Sequence, residues 1–445
     1  MLAWPRDGRQ ARGTSGFVPL TVMCRLPSAL RSRKPVADNV TLALGLDLLL
    51  LALGLPWLLA ASYLLLATLL SARPSPPAPS DGNRKFRFVV PAHNESAGIG
   101  DTVRSLLAVD YPREAFEVVV VADNCTDDTA AQAAAAGATV VVRNDSERRG
   151  KGYALDHVFS ATPPEVDAVV VIDADTLVSP NLLRAFAARR ERGARAVQAD
   201  YAVRNPDAGW RTRLIAIAFG AFHIVRSRAR ERLGLSCGLR GNGMCFSTEL
   251  LREIPHQAYS VVEDVEYGIR LGKAGHRVHY ADEAHVYGEM VTTSAAANSQ
   301  RRRWEEGRAL LVREHGRPLL RAALAQRSRV LADLGLDLLI PPLSRIAIGV
   351  LGCWLLALTL TLVLRPAHGS LSLVAFGVGL GAVVAYVLRG WMVSGTGLRG
   401  LLDLCLAPVY VVWKLSLRFR KPAQKTSEWV RTTREAQADA ERPPS

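Results

Sequence analysis

The sequence predicts an α/β protein with a doubly wound, mostly parallel sheet, flanked by transmembrane and interfacial helices. Apolar strand patterns alternate with helical patterns between residues 85 and 193, as in sheets that carry helices on both faces. Long uncharged apolar runs are concentrated near the two ends of the chain, where they favour membrane helices. We therefore expect a water-soluble middle domain held at a bilayer.

The composition of the 445-residue chain narrows the possible partners. The chain is 49% hydrophobic and has a net charge of +14, and only seven of its 55 basic residues are lysines. It has no zinc-finger spacing and no aromatic RNA-binding signature, so we expect contact with anionic lipid or a phosphorylated substrate and no nucleic acid. The six cysteines are scattered without a CxxC pair, which predicts reduced thiols and no structural zinc.

The first 84 residues divide into three segments. Residues 1–38 mix Arg, Pro, Gly and Ser without periodicity and are predicted to be disordered. Segment 39–71 contains 24 consecutive uncharged residues, enough for one transmembrane helix, with a kink expected at Pro56. Residues 72–84 are rich in proline, which predicts a stiff linker and a domain boundary.

The middle domain begins with four strand–helix repeats. Polar clusters follow the first, second and fourth strands, at 91–95, 123–128 and 173–175, and ligands of such sheets bind at these carboxyl ends. The predicted strands are 86–91, 116–123, 138–143 and 168–173, and the predicted helices lie near 97–109, 126–136, 150–160 and 179–192.

Two aspartates end the fourth strand. If the extended conformation persists, Asp173 and Asp175 lie two apart and leave the same side of the backbone, which suits a hard divalent cation that carries a phosphate. On these residues alone, a strand followed by an acid-rich turn is the preferred explanation. No GxGxxG follows the first strand, and no phosphate-binding P-loop is present, so a nucleotide would have to be held by carboxylates and a metal.

Six motifs in order resemble family 2 glycosyltransferases, in particular the processive branch of cellulose, chitin, hyaluronan and poly-N-acetylglucosamine synthases. The resemblance covers roughly 86–310 and implies a GT-A fold for a domain at 85–310, a nucleotide-sugar donor that is usually UDP-linked, Mg²⁺ or Mn²⁺, and inversion at the anomeric carbon. The motifs are VVPAHNE (89–95), DNCTDD (123–128), RGKGYAL (149–155), DAD (173–175), VED (262–264) and QRRRW (300–304).

The resemblance implies a donor half of the site. Asp123 would contact the nucleobase, and the backbone around Pro91 and Glu95 would form the other wall of that pocket. Lys151 would bind the donor. Asp173 would contact the ribose or the metal, and Asp175 would ligate the metal that bridges the diphosphate, which stabilises the charge that develops as the nucleoside diphosphate leaves.

It also implies an acceptor half. Asp264 would be the general base that takes the proton of the acceptor hydroxyl. Arg303 would hold the diphosphate, and Trp304 would offer a flat apolar face to the acceptor sugar. Gln300, Glu263 and Gly241 are assigned to the same acceptor and diphosphate region.

Simpler interpretations exist for several of these residues. Glu263 and Asp264 open a predicted helix at 263–274, where acids are favoured by the helix dipole, so capping alone could explain them. Arg301 and Arg302 could form a patch on the membrane surface. The sequence departs from many synthases at Asn124-Cys125, where they have Gly-Ser.

The C-terminal third predicts a membrane region. Helix-compatible residues 208–234 and the segment 240–262 should form the acceptor side of the cleft. Arginines interleaved with leucines predict amphipathic interfacial helices over 311–345. Within the membrane region 346–418, runs 346–364 and 369–388 predict spans and 400–417 predicts an interfacial or re-entrant helix. The basic and polar tail 419–445 favours the cytosolic side.

These observations predict a multi-pass inner or plasma membrane enzyme with a cytosolic catalytic domain. It would transfer a sugar from a nucleotide-sugar to a glycan acceptor, in extracellular or cell-envelope polysaccharide synthesis, with possible accessory membrane subunits. Because the few spans leave little protein to enclose a polymer channel, transfer of one sugar to a lipid acceptor is the alternative. A different class also fits: an inactive membrane scaffold that binds sugar nucleotides.

Overall fold

The computed structural model describes residues 34–80, 83–290, 294–365 and 369–416, and it describes the side chains of 41–80, 83–290, 306–365 and 369–412. The predicted tail at 419–445 and residues 1–33 of the predicted disordered segment lie outside these ranges. Helix α1 begins at Lys34, inside the segment 1–38.

A single mixed sheet of eight strands forms the centre of the described catalytic region. Its order is β3-β2-β1-β4-β7-β6-β8-β5. Four strand pairs are parallel: β1–β2, β2–β3, β1–β4 and β6–β8. Three pairs are antiparallel: β4–β7, β6–β7 and β5–β8. This GT-A architecture confirms the predicted fold class. The strands are β1 (Phe86–Ala92), β2 (Phe116–Asp123), β3 (Thr139–Arg143), β4 (Ala168–Val171), β5 (Thr176–Val178), β6 (Ala196–Val203), β7 (Met244–Ser247) and β8 (Val278–Gly288).

Helices cover both faces of this sheet because its central strands alternate apolar side chains between two cores. Phe88 and Val90 of β1 lie in one core with α2 and α5, and Val89 lies in the other with α4 and α9. The helices of the catalytic region are α2 (Ile99–Leu107), α3 (Thr129–Ala135), α4 (Lys151–Ser160), α5 (Leu182–Glu191), α6 (Trp210–Phe219), α7 (Arg226–Arg232), α8 (Thr248–Glu253) and α9 (Glu263–Lys273).

The extended conformation does not persist through the two aspartates, and the alternative of a strand followed by an acid-rich turn is confirmed. Strand β4 ends at Val171, and Asp173 lies in a turn in which the Thr176 backbone N–H donates to the Asp173 carbonyl at 3.2 Å. The turn reverses the chain into β5, which pairs with β8. A turn, and not strand alternation, therefore sets the directions of the Asp173 and Asp175 carboxylates.

Three helices are long and apolar enough to cross a membrane in the described part of the chain: Thr41–Leu69 within α1 (Lys34–Leu69), α12 (Leu343–Leu364) and α13 (Leu371–Ser394). The acceptor-side segment 208–234 is helical as predicted, with a π-helical turn, Gly220–Val225, between α6 and α7. The remaining helices are α10 (Ser294–Gln326), α11 (Arg329–Leu339), α14 (Gly397–Asp403) and α15 (Ala407–Ser416).

Polar contacts clamp α1 to α13 at both ends of the apolar region. At one end, the buried Asp47 carboxylate accepts from Ser370 Oγ at 2.7 Å and from the Leu371 backbone N–H at 2.9 Å, so it caps the start of α13. At the other end, Arg389 Nε donates to Ser71 Oγ at 2.9 Å. Asp47 and Ser71 are about 36 Å apart at helical rise, close to the thickness of a bilayer.

Helices α14 and α15, which cover most of 400–417, are not among the three candidate spans. Asp403 pairs with Arg213 of α6, which ties this segment to the catalytic region. The interfacial or re-entrant helix over 400–417 stays a prediction.

Candidate donor and acceptor site

The first two strand-end loops form one unit. Asn94 and Asn124 adopt left-handed conformations, with φ of 57° and 50°, which turn the chain sharply after β1 and β2. Asn94 Oδ1 accepts from the Thr126 backbone N–H at 2.7 Å, and the Glu95 backbone N–H donates to Thr129 Oγ1 at 2.8 Å. The predicted pocket residues Pro91 and Glu95 thus flank the same loop pair that holds Asp123.

Asp123 lies buried at the end of β2. Its Oδ1 accepts from Arg143 Nη1 at 2.5 Å, and Arg143 also bonds Asp145 at 3.0 Å. Its Oδ2 is buried with no hydrogen-bond partner among the described residues. Arg143 was missed in the sequence, although its place at the end of the neighbouring strand, opposite Asp123 in the register, was open to prediction.

The turn that carries Asp173 and Asp175 is held by a residue from another part of the chain. Asn242 Oδ1 accepts from the Asp173 backbone N–H at 3.1 Å, and Asn242 Nδ2 donates to Thr176 Oγ1 at 2.8 Å. Thr176 Oγ1 in turn lies 3.4 Å from Asp175 Oδ1. Of this segment the sequence singled out Gly241 alone, and Asn242 was missed.

Lys151 joins the donor and acceptor halves. Lys151 is the first residue of α4. Its ammonium group donates to Asp173 Oδ1 at 2.6 Å and to the Gly241 carbonyl at 2.6 Å, and it lies 3.5 Å from Glu263 Oε1. Burial by itself lowers the pKa of Lys151, but the carboxylates of Asp173 and Glu263 outweigh burial and raise it. Lys151 is therefore a permanent cation at the centre of the site.

Gly241 lies beside the proposed base. Its φ of +79° is strained for other residues, and a methyl group added there would lie 3.4 Å from Asp264 Oδ2. At Gly152, an added methyl would lie 2.1 Å from the Ala258 carbonyl, so α4 packs tightly on the loop before α9. Because neighbouring segments approach the backbone closely at these two glycines, Lys151 and Asp264 lie in one cluster.

Glu263 and Asp264 occupy the first turn of α9, but capping does not fully account for them. The N-cap residue is Val262, which has no side-chain cap, and the buried Glu263 carboxylate faces Lys151. Burial raises the pKa of Glu263 to about 7, against the opposing effect of Lys151, and it also raises the pKa of Asp264. A carboxylate with a raised pKa is a stronger base than a solvated one.

Gln300, Arg303 and Trp304 lie in α10, but their side chains fall outside the described residues. The helix itself passes the site, because a methyl group added at Gly307 would lie 2.8 Å from Val262 Cγ1, next to Glu263. The implied roles of these three side chains stay predictions.

The predicted site residues thus fall into three groups. Lys151, Asp173, Gly241, Glu263 and Asp264 come together in one cluster. Pro91, Glu95 and Asp123 lie along the neighbouring strand ends. Among the described side chains, no group of three or more His, Cys, Asp or Glu residues could hold a metal ion without other ligands.

Comparison with known proteins places this architecture in a family. A model of the glycosyltransferase-like family 2 matches residues 83–307, half of the chain. A beta-monoglucosyldiacylglycerol synthase of Synechocystis sp. is 32% identical over 232 residues, 49% of this chain and 47% of that protein. Cellulose synthase 2 of Novacetimonas hansenii is 29% identical over 189 residues, 40% of this chain and 11% of that protein.

One solved structure covers most of the chain. A mannosyltransferase from Pyrobaculum calidifontis, in complex with GDP-Man and Mn²⁺, matches 84% of this chain and 93% of its own with 18% identity and a TM-score of 0.46. The chain spans about half the length of the first curated relatives it matches. The match to the family model over the whole of the described site region shows that the chain belongs to the glycosyltransferase-like family 2.

Proposed function

We propose that this membrane protein transfers one sugar from a nucleotide-sugar, with UDP as the expected nucleotide, to a hydroxyl group of a membrane lipid. The observation that carries the lipid acceptor is the contact between the acceptor-side helices and a membrane helix. Tyr386 Oη of α13 donates to the Ala221 carbonyl at 2.7 Å, and a methyl group added at Gly390 would lie 2.7 Å from Ala221 Cβ. The acceptor side of the cleft would thus open at the bilayer surface.

The donor half would recognise the nucleobase through Asp123. Its unpartnered, buried Oδ2 can accept from a base N–H, and leaving such an acceptor without a partner costs about 1–3 kcal/mol. Arg143 fixes the carboxylate through the other oxygen. The loop around Pro91 and Glu95 would close the pocket from the β1 side.

Asp173 and Asp175 would hold a divalent metal, Mg²⁺ or Mn²⁺. Two carboxylates are hard oxygen ligands of the kind these ions prefer, and the donor diphosphate would complete the set. The bound ion would supply charge stabilisation for the leaving nucleoside diphosphate. Lys151 adds a fixed positive charge beside Asp173 and orients its carboxylate.

Asp264 would act as the general base. Its carboxylate faces Gly241, close to Lys151 and to the turn that carries Asp173. It would take the proton from the acceptor hydroxyl as that oxygen attacks the anomeric carbon from the face opposite the diphosphate, which gives inversion. Asp264 lies in the first turn of α9, next to α10. In α10, Arg303 would contact the diphosphate and Trp304 would contact the acceptor.

A lipid acceptor agrees with the curated relatives better than polysaccharide synthesis does. The relatives with the most significant matches are named for a diacylglycerol that carries one glucose, whereas the cellulose synthase match covers 11% of that protein. Because of the cellulose synthase match, transfer to a glycan acceptor is a second candidate function. A scaffold without activity has less support, since such a protein needs no cluster of a lysine with three carboxylates.

We further infer that the chain crosses the membrane several times and that the catalytic domain is cytosolic. Arg73 and Arg389 lie at the end of the spans that adjoins the catalytic domain, and cytosolic flanks are enriched in such residues.

A vesicle assay tests the proposal. The full-length protein, reconstituted in phospholipid vesicles that contain diacylglycerol, is given Mn²⁺ and a panel of radiolabelled UDP-sugars, and the products are separated by extraction and size. We expect a labelled lipid that carries one sugar. Long water-insoluble polymer would favour the glycan acceptor, and no transfer from any nucleotide-sugar would favour the scaffold.

Asp175→Ala tests the metal. We expect transfer to fall by roughly 10²–10³-fold, because charge on the leaving group loses its stabilisation. Asp167→Ala, which removes an acid outside the site that pairs with Arg84, is the control and should transfer at the normal rate. Full transfer by Asp175→Ala in the presence of EDTA would contradict a metal-dependent mechanism.

A further inference from the structure

A buried glutamine in β6 organises the turn before β7. Gln198 is 1% exposed, and its Nε2 donates to the Asn242 carbonyl at 2.7 Å and to the Ala199 carbonyl at 2.9 Å. Its Oε1 accepts from the Arg240 backbone N–H at 2.9 Å. A buried amide is costly unless its donors and acceptor are satisfied, and here the backbone of turn 240–243 satisfies them.

Asn242, held by this glutamine, reaches both donor-site aspartates. It is fully buried. Through Oδ1 it fixes the Asp173 backbone N–H, and through Nδ2 it donates to Thr176 Oγ1. Because Thr176 Oγ1 accepts from Asn242, its own hydrogen is directed to Asp175 Oδ1, which lies 3.4 Å from Thr176 Oγ1. One amide thus acts on Asp173 directly and on Asp175 through a hydroxyl relay.

The direction of these bonds makes the amide specific. A carboxylate at position 242 could still accept from the Asp173 N–H, but it has no proton for Thr176. The Thr176 hydroxyl would then donate to residue 242 and turn away from Asp175. An alanine would remove both bonds and leave the Asp173 N–H without its buried acceptor.

The same turn also contacts the acceptor half. The Gly241 carbonyl accepts from Lys151, and the Gly241 Cα faces Asp264. Turn 240–243 therefore fixes the aspartates, the lysine and the proposed base relative to one another, with Gln198 beneath it.

We propose that Asn242 is a positioning residue, an inference that rests on the proposed function. Asn242 orients Asp173 and Asp175 toward the cation and the donor diphosphate, and Gln198 holds the backbone of Asn242 in place. Groups that hold metal ligands in place commonly change metal affinity or activity by roughly 10–100-fold when removed. A residue that only stabilises the fold would lower the melting temperature without changing metal binding by the folded protein.

The first measurement needs no metal and no substrate. Hydrogen exchange of the β4–β5 turn, 172–176, is compared between the full-length protein and Asn242→Ala in nanodiscs with EDTA. We expect faster exchange of the Asp173 amide in the variant, while the β2–β3 pairing is unchanged. Equal exchange in both proteins would overturn the positioning role, whatever reaction the protein catalyses.

The second measurement follows Mn²⁺ binding in the presence of UDP, by the EPR signal of free Mn²⁺. We expect Asn242→Asp and Thr176→Val to weaken binding by roughly 10–100-fold and Thr176→Ser, which keeps the hydroxyl, to bind like the unaltered protein. Ser247→Ala is the matched control, since it removes a buried cap at the other end of β7 where the Leu250 N–H donates to Ser247 Oγ. It should lower the melting temperature and leave Mn²⁺ binding unchanged.

The outcomes separate the two proposals. If the unaltered protein binds no Mn²⁺ with UDP, the proposed function fails while the exchange result still decides the positioning role. If it binds and Asn242→Asp binds equally well, the positioning role fails while the proposed function stands.

Discussion

Two buried charge clusters of this protein are built in opposite ways. The donor-site cluster, Lys151, Asp173, Glu263 and Asp264, has three carboxylates for one ammonium group. Its charge is unbalanced toward the negative. Burial raises the pKa of Glu263 and of Asp264.

The arginine cluster, formed by Arg226, Arg230, Arg308, Asp333 and Asp337, has more positive than negative charge. Arg226 Nη1 and Arg230 Nη2 lie 3.0 and 3.1 Å from Asp337 Oδ1, and Arg230 Nε lies 3.1 Å from Asp333 Oδ2. Arg308 donates to the carbonyls of Asp337 at 2.7 Å and of Ile340 at 2.6 Å, at the negative end of α11.

Arg226 connects the arginine cluster to further elements. Arg226 also donates to Tyr386 Oη at 3.0 Å and packs against the rings of Tyr63 and Phe222. It therefore joins α7 and α11 to the membrane helices α1 and α13. In the donor-site cluster, by contrast, the carboxylates outnumber the ammonium group. The arginine cluster is a joint between elements, whereas the donor-site cluster, under the proposed function, would be completed by a cation.

The largest expected effect is on catalysis. Asp264→Asn keeps the size of the side chain and removes its basicity, so we expect the transfer rate to fall by roughly 10²–10⁴-fold. Transfer is measured in the vesicle assay, with UDP affinity and melting temperature as controls that should stay the same. An unchanged transfer rate would show that another group takes the proton.

The next largest effect tests the joint. Asp337→Asn removes the negative charge that Arg226 and Arg230 share and breaks their ion pairs with this side chain, so we expect a loss of about 3–5 kcal/mol in the free energy of unfolding. Although burial alone raises the pKa of Asp337, its arginines outweigh burial and hold it well below its usual value. Mn²⁺ should not restore the stability. A restoring effect of Mn²⁺ would mean that the two clusters are not distinct in function.

Lys151→Gln sharpens the contrast at the donor site. Removing the ammonium group leaves Asp173 and Glu263 without their ion pair, and we expect a loss of about 2 kcal/mol, less than for a fully buried pair. Because a divalent cation can replace the missing charge, Mn²⁺ should raise the melting temperature of this variant more than that of the unaltered protein. Equal shifts in the two proteins would argue against an excess of negative charge that a metal satisfies.

Local patterns were enough to predict the fold and part of the site. The strands and helices of 86–192 could be predicted because period-two and helical patterns are local, and Asp123 and Asp173 could be placed because parallel strands end on one edge. Lys151 and Asp264 entered through the resemblance, and their contact depends on the close backbone approach at Gly152.

What the sequence did not reveal depends on contacts between distant segments. Asn242 bonds a residue 69 positions away, and no spacing rule relates a turn before β7 to the turn after β4. The arginine cluster likewise joins α7 to α11, and nothing in the helix-compatible segment 208–234 indicates that Arg226 and Arg230 are buried. Buried polar networks are set by tertiary geometry, which hydropathy patterns do not encode.

The last effect is expected at Asp333, and it appears as a pH dependence. Burial raises the pKa of Asp333 from 3.8 to about 6, against the opposing effect of Arg230. Between about pH 4 and 6 the unfolded chain releases this proton and the folded chain keeps it, so the contribution of Asp333 to stability falls as pH rises, by up to about 3 kcal/mol. Asp333→Asn, which mimics the protonated side chain, should remove that slope, so the variant should melt like the unaltered protein near pH 4.5 and above it at pH 7.5, in contrast to the large loss for Asp337→Asn. Melting curves in EDTA from pH 4.5 to 7.5 check this, and parallel curves for Asp333→Asn and the unaltered protein would show that Asp333 is ionised throughout and that the two aspartates act alike.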